Sequence, residues 1–120
     1  VFTLTNYKNG NINEIEHEVY QQWFNVFTEK FNLKPKAYIY LKASPETCAV
    51  RIKRRDRTGE SSIPLEYLRE LHILHDTWLA QEKKFGVPVL EVDVSVDYIA
   101  DNEASRKIFK EILDFVQQVS

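Results

Sequence analysis

The sequence predicts an α/β protein whose parallel sheet is covered by helices on both faces. Two short segments rich in β-branched and aromatic residues, 38–42 and 87–94, indicate buried strands. Helical patterns precede, separate and follow them, in the order helix, strand, helix, helix, strand, helix. Because two strands make a narrow sheet, we expect further strands from outside this chain to complete it.

The first predicted helix covers residues 13–31. Its apolar residues recur at steps of four, which is the spacing of an amphipathic helix: Ile15, Val19, Trp23, Phe27 and Phe31. Asn13 suits the cap because its side chain can accept a hydrogen bond from the first turn. We expect these aromatic side chains, like Trp78 in a later helix, to pack in a core rather than to stack on nucleobases. Pro35 separates this helix from strand 38–42.

The second predicted helix begins in the segment SPET, residues 44–47, directly after the first strand. Ser44 can cap it, Pro45 fits the first helical position, and Glu46 suits the positive end of the helix dipole. We expect this helix to run towards Arg55.

The third predicted helix covers residues 64–84 and follows a turn signal at Gly59. It opens at a proline and places an apolar face along one side, formed by Leu65, Leu68, Leu71, His75, Trp78 and Leu79. Gly86 ends this helix before strand 87–94. A closing helix is predicted over 102–118, where apolar residues return at helical spacing.

Composition limits the class of protein. The chain has 120 residues, of which 43% are hydrophobic and 28% charged, which is typical of one globular domain or part of one. Its net charge of -2 argues against nonspecific binding to nucleic acid or membranes. The lone Cys48, which we expect to be buried and inert, favours a reducing compartment. We therefore expect a cytoplasmic protein, with a mitochondrial or viral origin left open.

The stretch RIKRRDRTGE, residues 51–60, carries five of the sixteen basic residues in its first seven positions. On a helix, Arg51, Arg54 and Arg55 share a face and can converge on one anion, for which phosphate is the natural candidate. The alternative is a solvated helix face beside a surface loop. The position of the stretch after a strand and helix, with a glycine that could act as a hinge, favours a phosphorylated ligand.

Residues 38–79 resemble the C-terminal half of the deoxynucleoside kinase family. They contain a strand, then S-P-E-T-C, then R-x-x-x-R-x-R, then an acid and IPLEYLRELHILHDTWL. The flanking segments NEIEHEVYQQW (13–23) and VPVLEVDVSVDY (87–98) are similar to the family in the same order, so the likeness covers nearly the whole chain. The resemblance implies the C-terminal part of a three-layer α/β/α fold of P-loop kinase type, with residues 51–62 as its lid.

The resemblance also implies transfer of a phosphoryl group from ATP to the 5′-hydroxyl of a deoxyribonucleoside. Carried over by motif, Arg51 and Arg55 would contact the ATP phosphates, and Arg57 would assist at the phosphate or the acceptor. Glu60 would reach the deoxyribose. Gly59 departs from the acid usual in cellular members, and R-T-G-E is similar to the lids of herpesvirus-type thymidine kinases.

The segment SVDY after the second predicted strand corresponds to the adenine-contacting segment of that family. The resemblance makes Asp97 and Tyr98 candidates for holding the ATP base. The alternative is structural, because an aspartate before a helix is a common cap and the tyrosine would then be an apolar plug.

The chain contains neither G-x-x-x-x-G-K-[ST] nor an E/D-R-S motif. We therefore expect that the P-loop part lies outside this chain, that Mg²⁺ is held mainly by that part, and that residues 1–120 alone are inactive.

The complete protein is expected to be a homodimer without nucleic-acid or membrane partners. Non-catalytic alternatives are a polyanion-binding module and an oligomerisation module built on helix 64–84. For His72 and His75, helix packing is favoured over zinc binding.

Overall fold

The computed structural model describes residues 1–60 and 62–120. Ser61, part of the predicted lid, lies outside the described residues. The chain divides into two units, Val1–Pro35 and Lys36–Ser120. Within the described residues, no helix combines the length and the apolar character that crossing a bilayer requires.

The first unit contains helix α1, Phe2–Lys8, and helix α2, Glu14–Lys30. Asn13 caps α2 as expected: its side chain accepts a hydrogen bond from the Glu16 backbone N–H at 2.9 Å. The Glu16 carboxylate in turn accepts from the Asn13 N–H at 2.8 Å, which completes a capping box. Helix α1 was not predicted, and it is only seven residues long with no side-chain cap at Val1.

The apolar stripe of α2 does not form the core that the sequence predicts. Trp23 is 59% exposed and Phe27 is 45% exposed. The reason is size, because this 35-residue unit has only the seven-residue α1 as a second element. Neighbouring rings along α2 instead pack on each other, with 5.8 Å between the centres of Trp23 and Phe27.

The second unit contains strand β1 and helices α3 and α4, then strand β2 and helix α5: Tyr38–Lys42, Pro45–Arg55, Leu65–Lys84, Val89–Asp93 and Asn102–Val119. The strands are parallel neighbours, with Tyr38 opposite Val89 and Lys42 opposite Asp93. The predicted α/β class is confirmed. Strand β2 is shorter than the predicted 87–94, and Pro88 before it cannot donate to a ladder because proline has no N–H.

Side chains and backbone conformation define the ends of α3. The Ser44 hydroxyl accepts from the Thr47 N–H at 3.1 Å, and Pro45 occupies the first turn, as predicted. Asp56 ends the helix in the left-handed conformation with φ 49°, which aspartate tolerates better than most residues. Gly59 has φ +87°, so glycine suits this position of the lid.

The core of the second unit lies where α4 and α5 pack on the strands. Leu79, Val92 and Val94 are 2%, 1% and 6% exposed. Trp78 packs edge-on against Tyr38, with 4.9 Å between ring centres. Ile39 and Leu41 alternate to the opposite face of β1 and are exposed, so that face stays open over β1 in the described chain.

Candidate phosphate and nucleotide site

The predicted site residues lie on two neighbouring segments of the second unit. Arg51 and Arg55 lie on α3, which follows β1, while Asp97 and Tyr98 lie in the loop 94–98 that follows β2. Because β1 and β2 are parallel neighbours, both segments leave the sheet at the same edge. This edge is where open α/β sheets bind their ligands.

Arg51 contacts the loop 94–98 directly. Its Nη2 donates to the carbonyl oxygens of Val94 and Val96, the second at 3.0 Å. Its guanidinium carbon lies 5.4 Å from the centre of the Tyr98 ring, within the range of a cation–π contact. The structure therefore brings Arg51 and Tyr98 together, and Arg51 stabilises the backbone of the predicted adenine loop.

Arg54 contacts the same loop through Asp97, with 3.2 Å between Nη1 and Oδ2. This hydrogen bond holds the pKa of the Asp97 carboxyl below its ordinary value, and the backbone N–H groups of Ala100 and Ile99 lower it further. Asp97 thus closes a local turn, whereas the cap of α5 is Asp101. Arg54 was not among the predicted site residues, although its spacing from Arg51 placed both on one helix face.

Arg55 and Glu60 form a second pair within the lid. Arg55 Nε lies 3.0 Å and Nη2 lies 2.5 Å from Glu60 Oε2. The side chains are 48% and 26% exposed. The residue predicted to meet phosphate therefore neutralises the residue predicted to meet the sugar. Arg57 is exposed, and its carbonyl accepts from the Glu60 N–H at 3.0 Å.

A cleft of about 330 Å³ opens between α3 and the loop 94–98. Arg51 and Arg54 line one side, and Ser95 and Asp97 line the other. Its volume falls in the range of small-molecule sites. The paired charges on its walls can bind a polar ligand that carries both hydrogen-bond donors and anionic groups.

A second polar group, which was not predicted from the sequence, surrounds Asp76 on α4. Lys42 Nζ lies 2.9 Å from each of its carboxylate oxygens, and His72 Nε2 lies 3.5 Å from Oδ2. The available signal was the i, i+4 spacing of His72 and Asp76. Lys42 and His72 also line a cleft of about 410 Å³ at the carboxyl ends of the strands.

Tyr40 gives this group a pH dependence that can be measured. Burial raises its pKa from 10.0 to about 12, and the negative charge of Asp76 and a hydrogen bond to it contribute. Because the pKa of Tyr40 is higher in the folded state, its contribution to folding stability is fully present below pH 10.0. That contribution is lost as the pH rises towards about 12. In an alkaline titration of tyrosinate absorbance, Tyr40→Phe should remove the latest component. Tyr20→Phe, in the first unit, should leave it; loss of that component in both variants would contradict the assignment.

The histidines on α4 make packing and polar contacts. The His75 ring stacks on Tyr40 at 5.8 Å, and its Nδ1 lies 2.7 Å from the Leu71 carbonyl oxygen. Over residues 1–60 and 62–120, no three His, Cys, Asp or Glu side chains are grouped as a metal site would require. The Cys48 thiol is half-buried rather than fully buried.

Comparisons with known proteins identify the family. The family model described as deoxynucleoside kinase matches residues 1–117. Human deoxycytidine kinase is 37% identical over 122 residues, which cover 94% of this chain and 47% of that protein. A probable deoxycytidine kinase of fowlpox virus is 33% identical over 99% of this chain and 52% of its own length. Human mitochondrial thymidine kinase 2 is 35% identical over 78% of this chain and 36% of its own length.

The deoxycytidine kinase relatives also show how much of the family's length this chain covers. The chain spans about half the length of the curated deoxycytidine kinases it matches. The matched region includes both the basic stretch of α3 and the loop 94–98, since it covers nearly all of this chain. This chain belongs to the deoxynucleoside kinase family.

Proposed function

We propose that this chain supplies the lid and the adenine-side loop of a kinase that transfers a phosphoryl group from ATP to the 5′-hydroxyl of a deoxyribonucleoside. Family membership supports the reaction class. The observation that carries the assignment to these residues is the cleft between α3 and the loop 94–98, lined by Arg51 and Arg54. Arginine is well suited to it because its planar donors match phosphate oxygens.

The chemistry needs positioned positive charge more than a reactive side chain. The transferring phosphoryl group carries its charge on its outer oxygens, so donors fixed around it lower the barrier. In our proposal Arg51 and Arg55 contact the ATP phosphates, and Arg57 assists from the exposed turn beyond α3. Asp97 and Tyr98 hold the base, and Tyr98 already lies in contact with the Arg51 guanidinium.

Glu60 acts on the acceptor in this proposal. Its carboxylate is held by Arg55 in the structure. When Arg55 turns to a phosphate, the Glu60 carboxylate becomes available to accept hydrogen bonds from the deoxyribose hydroxyls. Both changes take place within the lid, which would also exclude water from the phosphoryl group.

Other parts of the kinase would come from outside this chain. We propose that a P-loop and a catalytic acid precede these residues in the complete protein, and that residues 1–120 alone do not turn over. Mg²⁺ would accompany ATP, but among residues 1–60 and 62–120 no group of three carboxylate, imidazole or thiol ligands fits it, and we assign no step to it. The exposed apolar stripe of α2 supports the proposal of a homodimer, which light scattering can test.

The test is a transfer assay on the full-length gene product, with γ-labelled ATP and each of the four deoxyribonucleosides. We expect one deoxynucleoside 5′-monophosphate per ADP formed, and no turnover by residues 1–120 alone. A full-length protein that folds and binds ATP but labels no deoxyribonucleoside would contradict the proposal. Binding of long polyanions instead, with an affinity that falls steeply as salt increases, would favour the polyanion-binding alternative.

A further inference from the structure

Thr58 occupies an unusual position in the lid. Arginines precede it by one, three and four positions: Arg57, Arg55 and Arg54. The residue is exposed in the turn that follows α3, and its hydroxyl has no hydrogen-bond partner within the part of the chain that the structure describes. The proposed phosphoryl transfer assigns no role to this hydroxyl, so a separate reaction can modify it.

We propose that Thr58 is a phosphorylation site for a serine/threonine protein kinase that selects acceptors preceded by arginines. Such enzymes read the charge pattern of the substrate chain with acidic side chains of their own. The Thr58 Oγ1 would attack the γ-phosphorus of ATP bound to that protein kinase. The bond from the γ-phosphorus to the ADP oxygen breaks, and the hydroxyl proton passes to the protein kinase's base.

The turn can open to enter a protein-kinase cleft. Asp56 ends α3 in the left-handed conformation, and Arg57 has no regular structure. Among the described residues, the backbone hydrogen bond from the Glu60 N–H to the Arg57 carbonyl spans Thr58. The Arg54–Asp97 pair is solvent-exposed and the Arg55–Glu60 pair is partly exposed, and ion pairs open to solvent yield readily to a competing acidic partner.

The phosphate would act on the site already described, so its consequence rests on the proposed function. Glu60 shows that an anion carried by this turn can reach Arg55, five residues earlier in the chain. A phosphate on Thr58 lies closer in sequence and carries about -1.5 to -2 charges with three acceptor oxygens. It would displace Glu60 from Arg55 and repel the triphosphate. Phosphorylation would therefore weaken ATP binding.

The other hydroxyls near the lid that the structure describes fit less well. Ser62 Oγ lies 3.3 Å from the Gly59 carbonyl and has no arginine within four positions before it. Ser44 and Thr47 share a hydrogen bond of 2.8 Å in the cap of α3. These contacts make Ser62 the matched control for Thr58.

The experiment treats the full-length protein with ATP and a purified arginine-directed protein kinase, and locates phosphate by peptide mass spectrometry. We expect phosphate on Thr58, none at that peptide in Thr58→Ala, and normal labelling of Thr58 in Ser62→Ala. Arg54→Ala should slow the labelling at least about threefold because it removes one recognised charge. An unlabelled Thr58, or labelling indifferent to Arg54, would overturn the site.

Calorimetry then compares ATP binding before and after the treatment. We expect the phosphorylated protein to bind ATP at least about tenfold more weakly, while treated Thr58→Ala keeps its affinity. Unchanged affinity at full phosphorylation would overturn the regulatory part. If the untreated protein binds no ATP, the proposed function fails, while the mass spectrum still decides whether Thr58 is phosphorylated. If the protein binds ATP and Thr58 takes no phosphate, only the Thr58 inference fails.

Discussion

Replacing Arg55 with alanine in the full-length protein is expected to lower kcat at least about a hundredfold. The guanidinium would contact the phosphoryl group most strongly in the transition state, where its charge is spread over the outer oxygens. Folding should change little, because both side chains of the Arg55–Glu60 pair are partly exposed to solvent and ion pairs open to solvent contribute only about 0–1 kcal/mol. Steady-state kinetics and urea unfolding measure the two quantities.

Lys53→Ala is the matched control for Arg55→Ala. Lys53 is exposed on the same helix and also carries one positive charge. Its loss should change kcat by less than about threefold, because a charge that does not contact the phosphoryl group is screened by water and salt. Near-normal turnover in Arg55→Ala would remove this lid residue from the mechanism. Equal losses in both variants would mean that overall charge, rather than a directed contact, is responsible.

Replacing Leu79 with alanine is expected to destabilise the protein by about 2–5 kcal/mol. Leu79 is 2% exposed on α4, next to the sheet. Removing its branched end deletes buried apolar contacts and leaves a cavity that the packed neighbours fill only in part. The free energy of unfolding from urea titration measures the effect.

Ile73→Ala controls for helix propensity and for the general effect of an apolar truncation on α4. Ile73 is 62% exposed on that helix, so its truncation should change the unfolding free energy by no more than about 0.5 kcal/mol. If Leu79→Ala loses less than about 1 kcal/mol, the core of the second unit is not where the structure places it.

The sequence predicts the elements that carry strong local signals. Asn13 and Ser44 lie at helix starts because their short polar side chains satisfy backbone N–H groups there. Strand 38–42 was predicted at its observed bounds because its β-forming residues lack a helical period. Helix α1 was missed, since a seven-residue helix without a side-chain cap leaves little pattern to detect.

Contacts within the candidate site join residues that are far apart in the sequence. Arg51 and Arg54 contact residues more than forty positions away, and those contacts arise only because β1 and β2 are parallel neighbours. The composition of residues 51–57 therefore predicted an anion site but not its partners. Local sequence patterns also could not predict that the apolar stripe of α2 is exposed, since an amphipathic helix does not specify what covers its apolar face.

The most direct test is a crystal structure of the full-length protein with bound ATP and deoxyribonucleoside. We expect the Arg55 guanidinium at about 3 Å from a phosphate oxygen, with Glu60 released to the sugar. The lid's role in phosphoryl transfer would be contradicted if, with nucleotide fully bound, Arg55 still held Glu60 while Arg51 and Arg57 contacted no phosphate.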